Sequence, residues 1–316
     1  MNDKQATYRQ FCEAAPELPL FMHDWYLDAV CGEGNWDAVF ARKGERTVGV
    51  LPFFLKKKLW WRYVAMPPLC RMMGPYLLPE YRAPRKEMPL LQELVGQLPR
   101  LAAFEQDFNY SAQNWLPFHW RGYTQTTRYS YTLPLTDLKT LRANLAPDYR
   151  NNKLPKAAAK LHVRTGDDLD LFFHIHNRSY QRQGLSAPVP FDLLQRLDST
   201  LAARGAREIF FAKDTKTGAV HSVAYLAWDR ESAYYLLAGD DPALRRSGAG
   251  ILIAWEAIRH AKELLGLKTF DFAGSMIEPI ERVRRQFGAE PKPYFRVRKE
   301  WDWAWKIGKK LLRSPA

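Results

Sequence analysis

Two arginines and two glycines stand together in residues 234–258, YYLLAGDDPALRRSGAGILIAWEAI, where an apolar strand pattern ends and a helical pattern begins. Backbone N–H groups in the first turn of a helix have no partners within the helix, and the helix dipole adds partial positive charge there. Glycine lets an anion approach this backbone closely, and arginine adds charge-assisted hydrogen bonds. The pattern therefore predicts a diphosphate site formed by Arg245, Arg246, Ser247, Gly248, Ala249 and Gly250.

A plain glycine-rich turn is the alternative interpretation of this stretch. A P-loop would need Gly-Lys-Ser/Thr, and a dinucleotide-binding loop would need G-x-G-x-x-G. The stretch contains neither sequence. The anion site is favoured because the loop follows a predicted strand and directly precedes an amphipathic helix.

Apolar periodicity predicts the elements that position this loop. The second half of the chain reads as two helices, three strands joined by turns, a further helix and a final strand. The predicted bounds are 169–183, 191–203, 208–213, 219–228, 232–238, 248–265 and 268–273.

The first half of the chain repeats this order of elements. The predicted bounds there are 8–14 and 23–30 for helices, 36–41, 47–54 and 60–66 for strands, 87–98 for a helix and 101–108 for a strand. The strand, charged turn and strand of 39–54, VFARKGERTVGVLPFF, resemble those of 210–226, FFAKDTKTGAVHSVAYL. We interpret this as a duplicated α/β unit, with a boundary between Leu135 and Arg164. A chance likeness between two mixed α/β halves is the alternative.

Composition limits the class of protein. The chain of 316 residues is 47% hydrophobic and 14% aromatic, which indicates a folded protein with room for two cores. Its net charge of +13 favours an anionic partner: cofactor phosphates, tRNA or an anionic membrane surface. Solubility alone is the other explanation of the charge. The sequence shows neither a bilayer-spanning window nor a signal-peptide pattern, so a cytoplasmic location is expected, with peripheral contact to the inner face of the membrane as an extension.

The three cysteines, Cys12, Cys31 and Cys70, are widely spaced and form no C-x-x-C pair. This argues against a disulfide framework and a zinc site, and we expect buried, unreactive thiols. His174, His176 and His221 also lack metal-ligand spacing, so no metal is expected.

The Arg245-x-x-Gly248-x-Gly250 pattern resembles the pyrophosphate loop of the GNAT acyltransferase superfamily. Residues 251–299, including FDFAGS and IERVRRQFGAE, are similar to the closing segment of its FemAB-like branch, and 171–185 is similar to the first long helix of that branch's second domain. The resemblance implies an α/β (α+β) chain of two tandem GNAT-like domains, each a mixed, mostly antiparallel sheet flanked by helices. It implies a degenerate domain at 1–140, an acyltransferase domain at 141–316, and transfer of an acyl or aminoacyl group to an amine.

The first repeat departs from the family pattern. Its corresponding stretch, PEYRAPRKEMP, has Pro84 and Pro89 where a loop of N–H groups would be needed, so one donor site is expected. Because the glycine loop is retained in the second repeat, the resemblance favours an acyl-CoA donor without metal. A Fem-type transferase that uses aminoacyl-tRNA on a peptidoglycan precursor is the first alternative. A non-catalytic GNAT-like binding module is the second.

The resemblance also suggests roles for individual residues. A main-chain N–H near Ala238 or Gly239 would hold the thioester carbonyl. Asp271 is the candidate base, although a carboxylate there could equally cap a turn or pair with an arginine. Tyr235, or its neighbour Tyr234, could protonate the leaving thiolate. Ser275 is either a helix N-cap or a ligand, and the acceptor would be gripped by Tyr180, Arg182 and Gln183.

Basic residues are interleaved with tryptophan in two stretches, Lys56–Arg62 and Trp301–Arg313, and in the second stretch Trp301, Trp303, Trp305 and Ile307 alternate as in a strand. This composition suits contact with an anionic membrane, and the amine acceptor could then be lipid-linked. It also suits stacking on single-stranded nucleic acid. Tryptophans packed inside the protein beside solvated lysines are the third interpretation.

Overall fold

The computed structural model describes residues 3–32, 34–181, 189–274, 276–301 and 305. The chain divides into a first unit, residues 1–128 with 293–316, and a second unit, residues 129–292. The boundary between the two units therefore lies between residues 128 and 129, whereas we expected it between residues 140 and 141. The last segment of the chain, residues 293–316, belongs to the first unit. None of the described helices is both long and apolar enough to span a membrane.

Among its described residues, the first unit contains four α-helices and most of six strands. The helices are α1 (Asp3–Ala14), α2 (Asp24–Cys31), α3 (Pro84–Gly96) and α4 (Leu116–His119). The strands are β1 (Trp36–Lys43), β2 (Arg46–Lys58), β3 (Trp61–Ala65), β4 (Tyr76–Leu77), β5 (Ala103–Asp107) and the later β12 (Glu290–Glu300). Antiparallel pairs join β1 to β2, β2 to β3 and β5 to β12, whereas β3 and β5 are parallel.

The second unit begins within β6 (Thr124–Pro134). Its helices are α5 (Leu138–Ala143), α6 (Leu154–Ala158), α7 (Leu169–Gln181), α8 (Phe191–Ala202), α9 (Ala249–Glu263) and α10 (Glu278–Arg285), with a π-helical turn at Tyr149–Lys153. Its other strands are β7 (Leu161–Thr165), β8 (Arg207–Asp214), β9 (Val220–Trp228), β10 (Ser232–Asp240) and β11 (Thr269–Asp271). Strands β7 to β10 pair antiparallel in sequence order, β10 and β11 are parallel, and β11 is antiparallel to β6.

Both units follow the same order of elements. Each contains two helices, three antiparallel strands, a helix and a strand that is parallel to the third strand and antiparallel to one other, which is the later β12 in the first unit and the earlier β6 in the second. The second unit also has β7, which pairs with β8 and precedes this series. Crossing from an antiparallel to a parallel neighbour requires a long connection, which α3 and α9 supply. The predicted fold class, tandem and mostly antiparallel α/β units, is confirmed.

The core of the second unit lies where α9 covers the sheet. Apolar residues of α9 recur at helical spacing, and Ile253, Ala257 and Ile258 are fully buried against strand residues such as Phe210 and Phe270. A helix anchored in this way holds its N-terminus, and therefore the glycine loop, in a fixed position.

Two local details differ from expectation. Trp60 was placed in a strand over 60–66, but β3 begins at Trp61 and Trp60 lies in the preceding turn. Strand-like alternation over Trp301–Ile307 was expected, whereas β12 ends at Glu300. Alternating apolar residues cannot show where a hairpin turns back. Of the patch at Trp301–Arg313, only Trp301 and Trp305 are within the described residues.

Candidate functional site

The site is built where β10 and β11 separate. Their parallel pairing covers three residue pairs and ends at Tyr234 and Asp271. A bulge follows in β10, because its register against β9 shifts between Tyr235 and Leu237. Beyond Tyr234, β10 continues to Asp240 with β9 as its only neighbour in the register of the described strands. This leaves a gap beside the last residues of β10, which lead into the glycine loop.

The loop turns sharply at Gly248 before α9 begins. Gly248 has φ 81° and ψ 9°, the left-handed conformation that side chains other than glycine adopt only at a cost. A Cβ at this position would lie 3.3 Å from the Cβ of Ala157. Glycine is therefore required both by backbone conformation and by the neighbouring α6.

Several N–H groups of the loop remain available to a ligand. The N–H of Ala249 donates to Oγ of Ser247 at 3.3 Å, and the N–H groups of Ile251 and Leu252 donate to the Gly248 carbonyl. Within the described part of the chain, the N–H groups of Gly248 and Gly250 have no assigned acceptor. Both glycines are partly exposed, so an incoming anion can reach these two amides.

Arg245 and Arg246 lie in a short 3₁₀ turn immediately before Gly248, and both are exposed. Among the ion pairs of the described residues, neither arginine takes part in one. Two uncommitted cations thus stand beside two uncommitted amides, an arrangement suited to a diphosphate.

Asp240, at the end of β10, is a feature that the sequence did not reveal. A Cβ built on Gly250 would lie 2.9 Å from its Oδ1 and 3.2 Å from its Oδ2. Its carboxylate therefore packs directly against the first turn of α9, where a negative charge is stabilised by the helix dipole. Glycine at 250 leaves room for this carboxylate. Packing against Asp240 therefore favours glycine at this position, in addition to the proposed contact with a ligand.

Helix α7 holds the end of β10 through polar contacts. His176 Nδ1 lies 3.0 Å from the Ala238 carbonyl oxygen, and Oγ of Ser179 both donates to the Asp240 carbonyl and accepts from the Asp240 N–H. A Cβ on Gly239 would lie only 2.7 Å from Cα of His176. Helix α7 thus covers the backbone at Ala238 and Gly239, where we predicted that the acyl carbonyl is held.

A partly buried ion pair fixes the start of the loop to the same helix. Arg178 Nη1 lies 2.6 Å from Oδ2 of Asp241, whose side chain is 9% exposed, and Oδ1 of Asp241 accepts from the N–H of Ala243. The residues that position the site on α7, His176, Arg178 and Ser179, were missed from the sequence. Their spacing on one helical turn was the available signal, but it does not distinguish them from an ordinary polar face.

Asp271 is buried at the point where the two strands separate. Its Oδ1 accepts a 2.5 Å hydrogen bond from Oγ of Ser130 and a 2.8 Å bond from the N–H of Ala273. Ser130 Oγ in turn accepts from the N–H of Gly274. These contacts are those of a turn cap, one of the two interpretations that the sequence left open for this carboxylate.

The two candidate tyrosines point to different surroundings. Tyr235 lies in the apolar core, its ring 5.9 Å from Phe270 and 5.2 Å below the guanidinium of Arg284. Burial raises the pKa of its phenol, which therefore stays protonated. The Tyr234 hydroxyl donates to Oδ2 of Asp229 at 2.8 Å, in the turn before β10.

Of the predicted acceptor residues, only Tyr180 is described. It is half-buried, and its ring makes an edge contact with His176 at 5.1 Å. Arg182 and Gln183, like the candidate ligand Ser275, lie outside the described residues.

All three cysteines are buried free thiols, as predicted. Burial raises the pKa of the Cys12, Cys31 and Cys70 thiols, so none is a reactive thiolate. In the described residues, one group could hold a metal: the ligand atoms of Cys12, His23 and Asp24 lie within 4.8 Å of one another.

Comparison with known proteins agrees with this geometry. The family model described as an acetyltransferase (GNAT) domain matches residues 148–292. The structure of FemX aligns with a TM-score of 0.69 at 13% identity over 93% of this chain and 96% of FemX. No curated protein sequence matches significantly.

Two further solved structures share the fold across nearly the whole chain. The C-terminal domain of a proposed lysylphosphatidylglycerol synthetase from Agrobacterium fabrum has a TM-score of 0.56 at 14% identity, covering 98% of this chain and 96% of that one. A tandem GNAT protein from the clavulanic acid biosynthesis pathway has a TM-score of 0.55 at 14% identity, covering 94% and 95%. At such identities the likeness concerns the fold.

The region matched by the family model contains α7, the separating strands β10 and β11, and the loop 245–250 with its open amides. The recognition made from the R-x-x-G-x-G pattern and its flanking elements is therefore confirmed, as is the expectation of an enzyme. The second unit therefore carries a GNAT acetyltransferase domain, and the chain as a whole shares its fold with FemX and with a tandem GNAT protein.

Proposed function

We propose that the second unit transfers an acyl group from an acyl-CoA to an amine acceptor. The observation that carries this proposal is the pair of uncommitted amides at Gly248 and Gly250, beside the uncommitted Arg245 and Arg246. Such a loop is complementary to a diphosphate, and coenzyme A carries one. No metal is required for this reaction.

The gap beside β10 would receive the rest of the donor. A diphosphate held at 245–250 directs the attached chain along the end of β10, whose β11 neighbour has already diverged. Bound acyl-CoA supplies an activated carboxyl group for attack by the amine. The protein then contributes mainly position, which alone can lower the barrier by several kcal/mol.

The acceptor is proposed to be an amine of the cell envelope or of a lipid, reached from the cytoplasm at the inner face of the membrane. FemX and a proposed lysylphosphatidylglycerol synthetase share the fold, and their names support a cell-envelope or lipid acceptor. The net charge of +13 supports an anionic partner. Transfer from aminoacyl-tRNA to a peptidoglycan precursor, as in Fem-type enzymes, remains the second candidate because of the same fold and charge.

Thermal unfolding with different donors tests the proposal directly. Acetyl-CoA or a long-chain acyl-CoA, present at a hundred times its Kd, should stabilise the protein by about 2.7 kcal/mol. Since the diphosphate makes the main contact, free coenzyme A should also stabilise, whereas dephosphorylated pantetheine should not. Differential scanning fluorimetry measures both effects.

Two outcomes of the same screen would contradict acyl-CoA transfer. Binding of tRNA that weakens steeply with salt, without any shift by coenzyme A, would favour the aminoacyl-tRNA reaction. Binding of neither donor would favour a non-catalytic GNAT-like module, because such a module needs no donor site.

Asp271 is proposed to act as the base, and its replacement separates this role from turn capping. Asp271→Asn retains an oxygen for the Ala273 N–H but removes the basic carboxylate. We expect acyl transfer to fall by about 10²- to 10⁴-fold with little change in Tm. Ser130→Ala is the control, because it breaks the same cap without altering the carboxylate. If Asp271→Asn instead lowers Tm and leaves kcat unchanged, Asp271 is a turn cap alone.

A further inference from the structure

A hairpin of the first unit exposes large apolar side chains at its tip. Strands β2 and β3 pair from Phe54–Ala65 up to Lys58–Trp61, which leaves Leu59 and Trp60 as a two-residue turn. The two turn residues are 71% and 75% exposed. An exposed leucine followed by an exposed tryptophan at one tip forms a contiguous apolar knob.

The backbone at this tip is unfavourable for the residues that it carries. Leu59 has φ 54°, a conformation that costs an ordinary side chain about 1–2 kcal/mol. Two-residue hairpin turns favour Asn-Gly because those residues tolerate a positive φ. Folding alone would therefore favour small polar residues here, so the Leu59–Trp60 pair serves something other than the fold.

Cations surround the knob. Lys56, Lys57, Lys58 and Arg62 are all exposed, and no ion pair is assigned to any of them within the described ranges. In the paired register, Lys57 lies opposite Arg62, and like charges facing each other across strands are unfavourable without a counter-charge. The hairpin thus combines apolar bulk with four uncompensated positive charges.

The base of the hairpin is held rigidly within the first unit. Trp61 is buried, and its ring makes an edge contact with Trp305 at 5.7 Å, while Tyr63 lies 4.6 Å from the same indole. Trp60 and Trp61, on successive positions, therefore have opposite roles: one anchors the hairpin and the other faces solvent. Because the support is rigid, little conformational entropy is lost when the tip binds a partner.

We propose that the hairpin Lys56–Arg62 is a docking element for an anionic phospholipid membrane. Leu59 and Trp60 enter the headgroup region, where indole and leucine side chains are favoured, and the four cations meet lipid phosphates. From Leu55 to the tip the strand extends about 13 Å, enough to cross the roughly 5–10 Å of interface that such elements occupy. The first unit would then be fixed at the surface where lipid-linked amines are found. The inference rests on the hairpin alone and does not depend on acyl-CoA as the donor.

Single-stranded nucleic acid is the competing occupant, since cations and aromatic rings also bind its phosphates and bases. The hairpin favours lipid for two reasons. Leu59, the residue under backbone strain, is aliphatic and offers no stacking surface. Trp60 and Trp61 are only 4.8 Å apart and tilted by 46°, so no base fits between them.

Vesicle co-sedimentation of the full chain tests the proposal. We expect strong binding to vesicles of phosphatidylcholine mixed with phosphatidylglycerol, and weak binding to phosphatidylcholine alone. The double variant Leu59→Asn/Trp60→Ser places asparagine at the position of positive φ, so it should fold at least as stably while its membrane partition coefficient falls by tenfold or more. The triple variant of Lys56, Lys57 and Lys58 to Gln should lose roughly fivefold for each charge removed.

A matched control removes one exposed leucine and one exposed tryptophan elsewhere. Leu264 and Trp120 are 75% and 56% exposed, and Leu264→Asn/Trp120→Ser should leave vesicle binding unchanged. Equal loss in both double variants would overturn the proposal, as would equal binding to neutral and anionic vesicles. Binding of a single-stranded oligonucleotide that the hairpin variants abolish, without vesicle binding by wild type, would assign the hairpin to nucleic acid instead. Loss of vesicle binding with unchanged coenzyme A stabilisation would leave the proposed function standing.

Discussion

Gly248→Glu is expected to abolish stabilisation by coenzyme A and to lower kcat/KM for acyl transfer by about 10²- to 10⁴-fold, the equivalent of two lost charge-assisted hydrogen bonds. Three effects act together. A side chain at φ 81° strains the turn, its Cβ approaches Ala157 at 3.3 Å, and the new carboxylate repels a diphosphate from the open amides. Steady-state kinetics and scanning fluorimetry measure the loss.

Gly266→Glu is the matched control. Gly266 follows α9, has φ 64°, and has no atom within 4 Å of a built Cβ. The substitution introduces the same charge and a similar backbone strain, but at the far end of the helix. We expect a comparable decrease in Tm with coenzyme A binding retained.

A milder variant keeps the test valid if Gly248→Glu folds poorly. Arg245→Ala/Arg246→Ala leaves the backbone intact and removes the two exposed cations. It should weaken coenzyme A binding while leaving the Tm of the free protein nearly unchanged. Full affinity in both the arginine and the glycine variants would place the donor elsewhere.

Asp107→Ala is expected to lower the free energy of unfolding by about 3–5 kcal/mol. Asp107 is buried at the end of β5, and Arg296 on β12 binds it with two parallel bonds, Nε to Oδ1 at 2.6 Å and Nη2 to Oδ2 at 2.7 Å. The bond to Asp107 raises the pKa of Arg296, as expected for a tightly paired guanidinium. Removing the carboxylate leaves Arg296 and the nearby Arg128 as two like charges without a shared partner.

Chemical denaturation measures this effect against a surface pair. Arg282→Ala breaks the exposed bridge from Arg282 to Glu278 in α10 and should cost no more than about 0.5 kcal/mol. Because Arg296 is itself 26% exposed, the loss for Asp107→Ala should lie toward the lower end of its range. Equal, small losses in the two variants would show that the Asp107–Arg296 pair is solvated.

Much of the second unit followed from apolar periodicity. The expected strand at 219–228 is β9 at Val220–Trp228, and the expected helix at 248–265 is α9 at Ala249–Glu263. These elements are long, strongly patterned and bounded by glycine or charged turns, the conditions under which local sequence is informative. The short π-helical turn and α6 were not foreseen, since two prolines and many lysines conceal their pattern.

The residues of the candidate site were likewise predicted only in part from the sequence. Gly248 was identified from sequence because glycines and arginines stand directly before an amphipathic helical pattern, whereas its left-handed φ of 81° came from the structure. Asp240, His176 and Ser179 were missed because their contacts with the loop and with β10 join residues far apart in the chain. The roles of Asp271 and Tyr235 stay predictions, and Asp271→Asn tests the first of them.

By itself, the sequence determined most of the long helices and strands of both units, the glycine loop before α9 and the likeness to GNAT domains. These features depend on the spacing of apolar residues and on backbone conformations that glycine alone adopts easily. The tertiary structure decided the rest: that β10 and β11 stay paired for only three residues, that Arg296 finds Asp107 across 189 positions, and that Leu59 and Trp60 form an exposed tip. Such features arise from packing and long-range pairing, whose energies depend on which distant residues meet and leave no pattern in local sequence.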